Sequence, residues 1–489
     1  MVGIETYPEQ LDPRLGRDIM SSKIKKLIFP GLLMRDDSQR LKPHLATKID
    51  VEAGLRYDFT LRADILFHNG HKMTSADVKA TFDSILDPAL NSPYARSFAL
   101  IDRIDAPTST RVVITLKKPS PSFATDLVVG ILPAEQALAY RRGETIPQDE
   151  LIGAGPFKLI RGGLGESQIT LKRFDADFEG FSGSKRLEFH VLQDATLRAL
   201  ELLKGRIDLV QNALPAAIVP LFQSKNDFKF VSKAGANFNY LAFNFRKPLF
   251  QHLKVRQAFA HAINVDGILK YKLPNLASRA DSLLNPDHWA YRRNLGRYDY
   301  DPARAKIILD EAGYSDPDGD GPKTRFNLIY KTSTDKQRLE FAQIIASNLR
   351  EVGIGVEIRS YEFGTFMRDL KQGDFDIATL TWVGISDPDI YYLIAHSTQI
   401  PPAALDGLNR GAYADARMDD LLEQSRVELE AQKRLTIFKE IQKKFFDDLV
   451  YVPLWYEHNF AVMKKDVIGY RPRVDSGFQN LKNVKNTNE

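Results

Sequence analysis

Between Asp301 and Trp382 the chain alternates helix-forming and strand-forming segments, and this constrains the fold more than any other feature. Asp301 can cap a helix that Pro302 starts. Ala305, Ile308, Leu309 and Ala312 fall on one face of it, and Gly313 ends it. Leu339, Ala342, Ile345, Leu349 and Val352 recur at helical spacing up to Gly353. Val356 to Ile358 and Ile377 to Trp382 read as strands. Helices interleaved with strands require a sheet covered by helices, an α/β architecture. Earlier in the chain Tyr57, Phe59 and Leu61 alternate with Asp58, Thr60 and Arg62, the pattern of a half-buried strand. Asn69-Gly70 signals a turn. Thr74 with Asp77 resembles a capping box opening a helix through Leu86. Val112, Ile114 and Leu116 alternate before Pro119, so residues from about 35 to 150 read as a compact α/β insert. Asp194 is expected to cap a helix carrying Leu197, Leu200 and Leu203, closed by Gly205, with Ile207 to Val210 as the next strand. Tyr451 to Trp455 reads as a short buried strand, followed by irregular chain to Glu489.

The chain has 489 residues, enough for roughly three domain-sized units and an ample core. With 67 basic and 63 acidic residues the formal net charge is +4. That is too slight for a nucleic-acid-binding face. The basic cluster Lys23, Lys25 and Lys26 reads as a solvated helix face. No cysteine is present, which removes disulfides, thiolate nucleophiles and cysteine-type zinc sites. No apolar run approaches the roughly 18 residues of a membrane span. Met1 leads directly into Val-Gly-Ile-Glu-Thr-Tyr-Pro, without a leader-like segment. An exported protein of this sequence is therefore expected to be a mature or engineered form with Met1 as a start-codon remnant, a lipid anchor being a feature the precursor could carry.

Several segments, in order, resemble the family 5 solute-binding proteins of ABC importers, the group of dipeptide-, oligopeptide- and nickel-binding proteins. Leu11-Asp12-Pro13 and Phe29-Pro30-Gly31-Leu32 resemble its first strand and helix. Phe59 to Arg62, Phe67-His68-Asn69-Gly70 and Thr74 to Val78 form its most recognisable run. Gly153-Ala154-Gly155-Pro156-Phe157 resembles its return to the first lobe. Leu241 to Asn244, Val255 to Ala258 and Ala262-Ile263-Asn264 resemble the entry into the second. Pro453-Leu454-Trp455 matches the strand before the final crossing. The resemblance spans about Leu11 to Tyr470. It implies a periplasmic-binding-protein type II-like two-lobed fold with an additional inserted α/β subdomain, the cluster C type. Lobe I would comprise residues 1–35, 150–237 and 461–489. The insert, 36–149, would pack on it, and lobe II would comprise 238–460. It also implies that a small peptide or peptide-like solute is enclosed between the lobes by hinge closure and passed to membrane permease subunits. The implied setting is periplasmic or extracytoplasmic, the implied state a monomer, and no cofactor or nucleic acid is called for.

The resemblance also places candidate contacts. The loop Trp382, Val383, Gly384, Ile385, Ser386, Asp387 follows a predicted strand. In peptide-binding members this loop bonds ligand main chain and carries an acid for the ammonium three residues after the tryptophan. Here that position is Ile385. Three residues before the tryptophan, where an arginine can meet a ligand carboxylate, stands Thr379. Simple dipeptides with free amino termini are therefore expected to bind poorly. Asp387 is either a substitute anchor or a turn opener. Trp382 is either a pocket aromatic or a core residue. Arg17, Asp18, Ile19 and Met20 match a first-lobe loop laid along the ligand, though Arg17 and Asp18 equally fit a surface pair. Tyr94 matches an insert loop that reaches the site; it could instead cover the insert surface. Asn237, Asn239 and Tyr240 match the strand entering the second lobe, with Asn239 alternatively satisfying backbone at the hinge.

Other chemistries find less support. Asp316-Pro317-Asp318-Gly319-Asp320-Gly321 resembles half a calcium loop, but its twelfth position is Asn327 and the bidentate glutamate is missing, so a tight acidic turn is the reading. Gly162-Gly163-Leu164-Gly165 lacks the Lys-Ser/Thr of a phosphate loop. No zinc helix or nucleophile elbow occurs. A hydrolase acting on peptides or glycosides, and a receptor presenting ligand to a sensor, stand as alternatives of different classes.

Overall fold

The computed structural model describes residues 1–16, 18–162, 166–181, 183–319, 321–401 and 407–487. Arg17, three residues of the Gly162–Gly165 turn and Asp320 lie outside the described residues. The chain divides into two compact units, Met1–Lys233 with Asn459–Glu489, and Ala234–His458.

In the first unit β1 (Val2–Ile4) leads into α1 (Ile19–Ile28). β2 (Ala46–Glu52), β3 (Arg56–Leu61), β4 (Ile101–Thr108) and β5 (Arg111–Leu116) form an antiparallel sheet in the order β2-β3-β5-β4. Against it packs α2 (Ser75–Leu86), opened as expected by Thr74, whose N–H donates to Asp77 Oδ2 at 2.8 Å. Phe59, Phe67, Val78, Phe82 and Ile114 fill this core. Each such burial is worth about 1.5–3 kcal/mol. Next come β6 (Phe157–Arg161), β7 (Gln168–Arg173), β8 (Arg186–Val191), α3 (Ala195–Leu203) and β9 (Leu209–Gln211). β1 lies between β8 and β9 and is parallel to both; β7 and β6 extend the sheet antiparallel.

Two strands carry the chain from one unit to the other: β10 (Phe228–Phe243) and, near the C-terminus, Tyr451–Lys464. In the second unit β11 (Ala277–Arg279) precedes α4 (Pro302–Glu311), β12 (Phe326–Ser333), α5 (Lys336–Glu351), β13 (Ile354–Tyr361) and β14 (Ile377–Trp382). β12 is parallel to β13 and β14, and β14 pairs antiparallel with β10. Two further helices, α6 (Ala416–Val427) and α7 (Ala431–Asp447), precede β15 (Tyr451–Lys464), whose first half pairs with β11. Asp301 caps α4 through Arg304 N at 2.8 Å, and Gly313 takes a positive φ of 87°. The expected α/β pattern of this region is present.

Three local readings change. The strand read as Tyr451 to Trp455 runs on to Lys464, because its second half pairs with β9, Leu209 opposite Met463. Long-range pairing is not written in local composition. Helix α3 turns the other way: Leu197 and Leu200 are more than two-fifths exposed, while Arg198 and Leu202 face inward. Arg198 satisfies the carbonyls of Ala213 at 2.6 Å and Gln193 at 3.1 Å, a polar interior role that apolar periodicity misses. The lysine cluster is a solvated face only at Lys26, since Lys23 and Lys25 are buried. Lys23 lies over the Phe478 ring, 5.2 Å from its centroid.

The motifs of the first unit converge on close backbone approaches. Gly155 N donates to Ile28 O at 2.9 Å, and His68 N donates to Gly153 O at 2.8 Å. A Cβ on Gly153 would stand 2.0 Å from Ile28 O. Gly153→Ala is expected to destabilise the protein by about 1–3 kcal/mol, because backbone on both sides must move. Urea unfolding of the variant checks this. Another buried knot is Arg14, whose guanidinium meets Asp12 twice, Nε to Oδ1 at 3.0 Å and Nη2 to Oδ2 at 2.6 Å. Its Nη1 donates to Ser84 Oγ at 3.0 Å and Ala137 O at 2.6 Å, tying the N-terminal loop to α2 and the segment after it.

Candidate functional site

In the second unit the candidates gather where β10 meets β14. Phe238 stands opposite Trp382, Asn239 opposite Thr381, and Tyr240 opposite Leu380. Directly opposed residues share a face of an antiparallel pair. The candidates therefore divide, with Asn237, Asn239 and Thr381 on one face and Trp382, Phe238 and Tyr240 on the other.

The polar face is a closed set of hydrogen bonds. Asn237 Nδ2 donates to Glu457 Oε2 at 2.8 Å, and Asn239 Nδ2 donates to Glu457 Oε1 at 3.0 Å. Thr381 Oγ1 donates to Asn239 Oδ1 at 2.6 Å. Gly384 N donates to Asn237 Oδ1 at 3.0 Å, and Ile385 N to Ala236 O at 3.0 Å. The loop after β14 is thus pinned to β10 at two successive residues. Gly384 adopts φ +66°, and Val383 is 61% exposed, so the tip of the loop is open to solvent. Ile385 instead points into the core. Asp387 Oδ1 accepts from Asp389 N at 2.9 Å, the bond of a turn opener, with its other oxygen not engaged there.

The opposite face is aromatic. Tyr240 stacks on Tyr451 at 4.1 Å and on Trp382 at 6.0 Å with ring planes 5° apart. The Arg410 guanidinium lies over Trp382, 5.2 Å from the centroid, a cation–π contact. Tyr240 is buried, and burial pushes its hydroxyl pKa well up. Trp382 remains partly exposed.

In the first unit Asp18 caps α1, Oδ1 accepting from Ser21 N at 2.8 Å. Ile19 is strongly exposed, whereas Met20 belongs to the core. Tyr94 Oη donates to Gly16 O at 3.0 Å, and Lys25 Nζ donates to the same carbonyl. Burial lowers the Lys25 pKa to about 8 against the opposing pull of Asp12 and Asp18. Asp18 and Tyr94 are thereby brought to one loop; Arg17 is outside the described residues.

Two participants escaped the sequence reading. Glu457 follows the Pro453-Leu454-Trp455 motif by two residues, but nothing local marks it as a partner of asparagines 220 and 218 residues away. Arg410 sits in a loop with no periodic signal. Among the described residues no group of His, Asp and Glu is arranged to hold a metal. Asp316 and Asp318 accept backbone N–H groups of their own turn, from Asp318 at 3.2 Å and Lys323 at 3.1 Å.

Comparison with known proteins decides the affiliation. The model of bacterial extracellular solute-binding proteins, family 5 Middle, matches residues 40–401. The chain belongs to this family. It is 28% identical to di/tripeptide-binding protein 2 of Pseudomonas aeruginosa over 459 residues, covering 88% of this chain and 84% of that protein. It is 25% identical to the oligopeptide-binding protein AppA of Bacillus subtilis over 487 residues, covering 96% and 88%. Among solved structures, NikZ from Campylobacter jejuni in complex with Ni(L-His) superposes with a TM-score of 0.77 at 26% identity, covering 99% of this chain and 98% of that one. These establish the two-lobed type II-like fold and an extracytoplasmic solute-binding role in ABC import. Family 5 members are binding proteins, and this chain is accordingly not an enzyme. No helix among the described residues is long and apolar enough to cross a membrane.

Proposed function

We propose that the protein captures a small peptide or peptide-like solute and delivers it, as a monomer and without nucleic acid, to permease subunits in the membrane. The observation that carries this is the loop after β14, whose open tip at Val383 and Gly384 is held against β10 by hydrogen bonds. A pinned loop with accessible backbone suits recognition of an extended main chain, where peptide groups supply affinity and side-chain pockets supply selectivity. The names of the P. aeruginosa and B. subtilis relatives support the same ligand class. In this reading residues 1–35, 150–237 and 461–489 form lobe I, 36–149 the insert packed on it, and 238–460 lobe II. The proposed contacts are Trp382, Val383, Gly384, Asn237 and Asn239 in lobe II, and Asp18 and Tyr94 in lobe I.

Mass spectrometry of the purified protein tests the proposal by identifying what it retains; a sugar or a free metal ion as the sole retained molecule would refute it. Trp382→Ala is expected to weaken binding of the retained solute by at least about 1 kcal/mol, as loss of a pocket aromatic does. Calorimetric titration reads the loss, and an unaltered affinity removes Trp382 from the contact set.

A further inference from the structure

We propose that Glu457 is the anchor for a cationic group of the solute, an ammonium or guanidinium. The inference rests on the reading of the loop after β14 as the solute-receiving element.

Glu457 is half-buried on β15 and is held from both sides by amides. Each amide has its orientation fixed by a donor on its own oxygen. Gly384 N–H fixes Asn237, and Thr381 O–H fixes Asn239. Both amino groups are thereby turned toward the carboxylate. Two neutral donors orient the carboxylate but leave its charge in place. Among the described residues no lysine or arginine lies within ion-pair distance of it. Each carboxylate oxygen keeps acceptor capacity beyond its one amide bond. A partly desolvated, oriented and uncompensated negative charge attracts a cation more strongly than an exposed one does.

Its position gives the charge a use. One side chain, Asn237, bonds both Glu457 and the Gly384 N–H of the open loop. The loop's own acid position is occupied by Ile385, which points into the core. The Glu457 carboxylate thus stands one amide away from the open loop. Two inward-turned amino groups require two acceptor oxygens, so the carboxylate also knits β10 to β15.

The test is calorimetric titration of the whole chain and of Glu457→Gln with three probes: Ala-Ala-Ala, its N-acetyl form, and agmatine, a cation without peptide bonds. The wild type is expected to prefer the free tripeptide to the acetylated one by about tenfold or more, and Glu457→Gln to bind the two alike. Agmatine should bind weakly to the wild type and not to the variant. A tripeptide that binds regardless of acetylation, with agmatine unbound, overturns the cation anchor and leaves the peptide reading intact. Glu457-dependent binding of agmatine with no tripeptide binding supports the anchor and refutes the peptide reading. Binding of neither refutes both. A variant that loses thermal stability yet keeps the wild-type preference shows a structural role only, and overturns the proposal.

Discussion

Arg14→Ala is expected to lower the unfolding free energy by about 3–5 kcal/mol, the usual consequence of stranding one charge of a buried pair. The Arg14 side chain is 5% exposed and that of Asp12 10%. Removing the guanidinium leaves the Asp12 carboxylate without its two charge-assisted bonds, and it leaves Ala137 O and Ser84 Oγ without a donor. Water cannot easily replace four such bonds in a site this closed. Equilibrium urea unfolding at neutral pH measures the loss. The double variant Asp12→Ala with Arg14→Ala should recover part of it, because the stranded charge is gone. A single-variant loss under about 1 kcal/mol would mean that the loop is held by its apolar contacts instead.

The second large effect is a fall in stability on acidification. His68 is buried with Nε2 against Gly155 O at 2.9 Å, and burial pushes its pKa down to about 4. The unfolded chain takes up this proton near pH 6.5 and the folded chain does so only near pH 4. Stability contributed by the neutral imidazole is therefore complete above pH 6.5 and is lost as the pH falls through that window, by about 3 kcal/mol. Asp177 acts in the opposite direction. Burial raises its pKa to about 6, so its protonation between pH 6 and 4 favours the folded state. The contribution of His68 is isolated by comparing wild type with His68→Gln, which retains a donor for Gly155 O and does not titrate. Denaturation midpoints at pH 7 and pH 4.5 should converge more in the variant. Equal pH sensitivity in the two proteins would contradict the assignment.

Both effects lie in motifs by which the sequence resembles its family, and they show what such motifs encode. Leu11-Asp12-Pro13, Phe67-His68-Asn69-Gly70 and Gly153-Ala154-Gly155 hold backbone segments of the first unit within hydrogen-bonding distance of each other. Caps and turns were readable because their chemistry is local: Asp301, Asp194 and Thr74 act within three or four residues. The inner face of α3 was not readable, because Arg198 earns its place from carbonyls outside its own helix. The candidate site was legible along β14 and its loop. Its division into a polar and an aromatic face follows from the register of β10 on β14, which no single segment specifies. Glu457 depends on a third strand, so its partnership with Asn237 and Asn239 appears only when the three are assembled.

The exposed side chain at Val383 has a practical corollary. Because these 489 residues include no cysteine, Val383→Cys would carry their sole thiol. A spin label or fluorophore attached there would report on the loop beside the asparagine–glutamate cluster without any background labelling. Occupancy by an unknown cargo could then be followed in real time, before that cargo is identified.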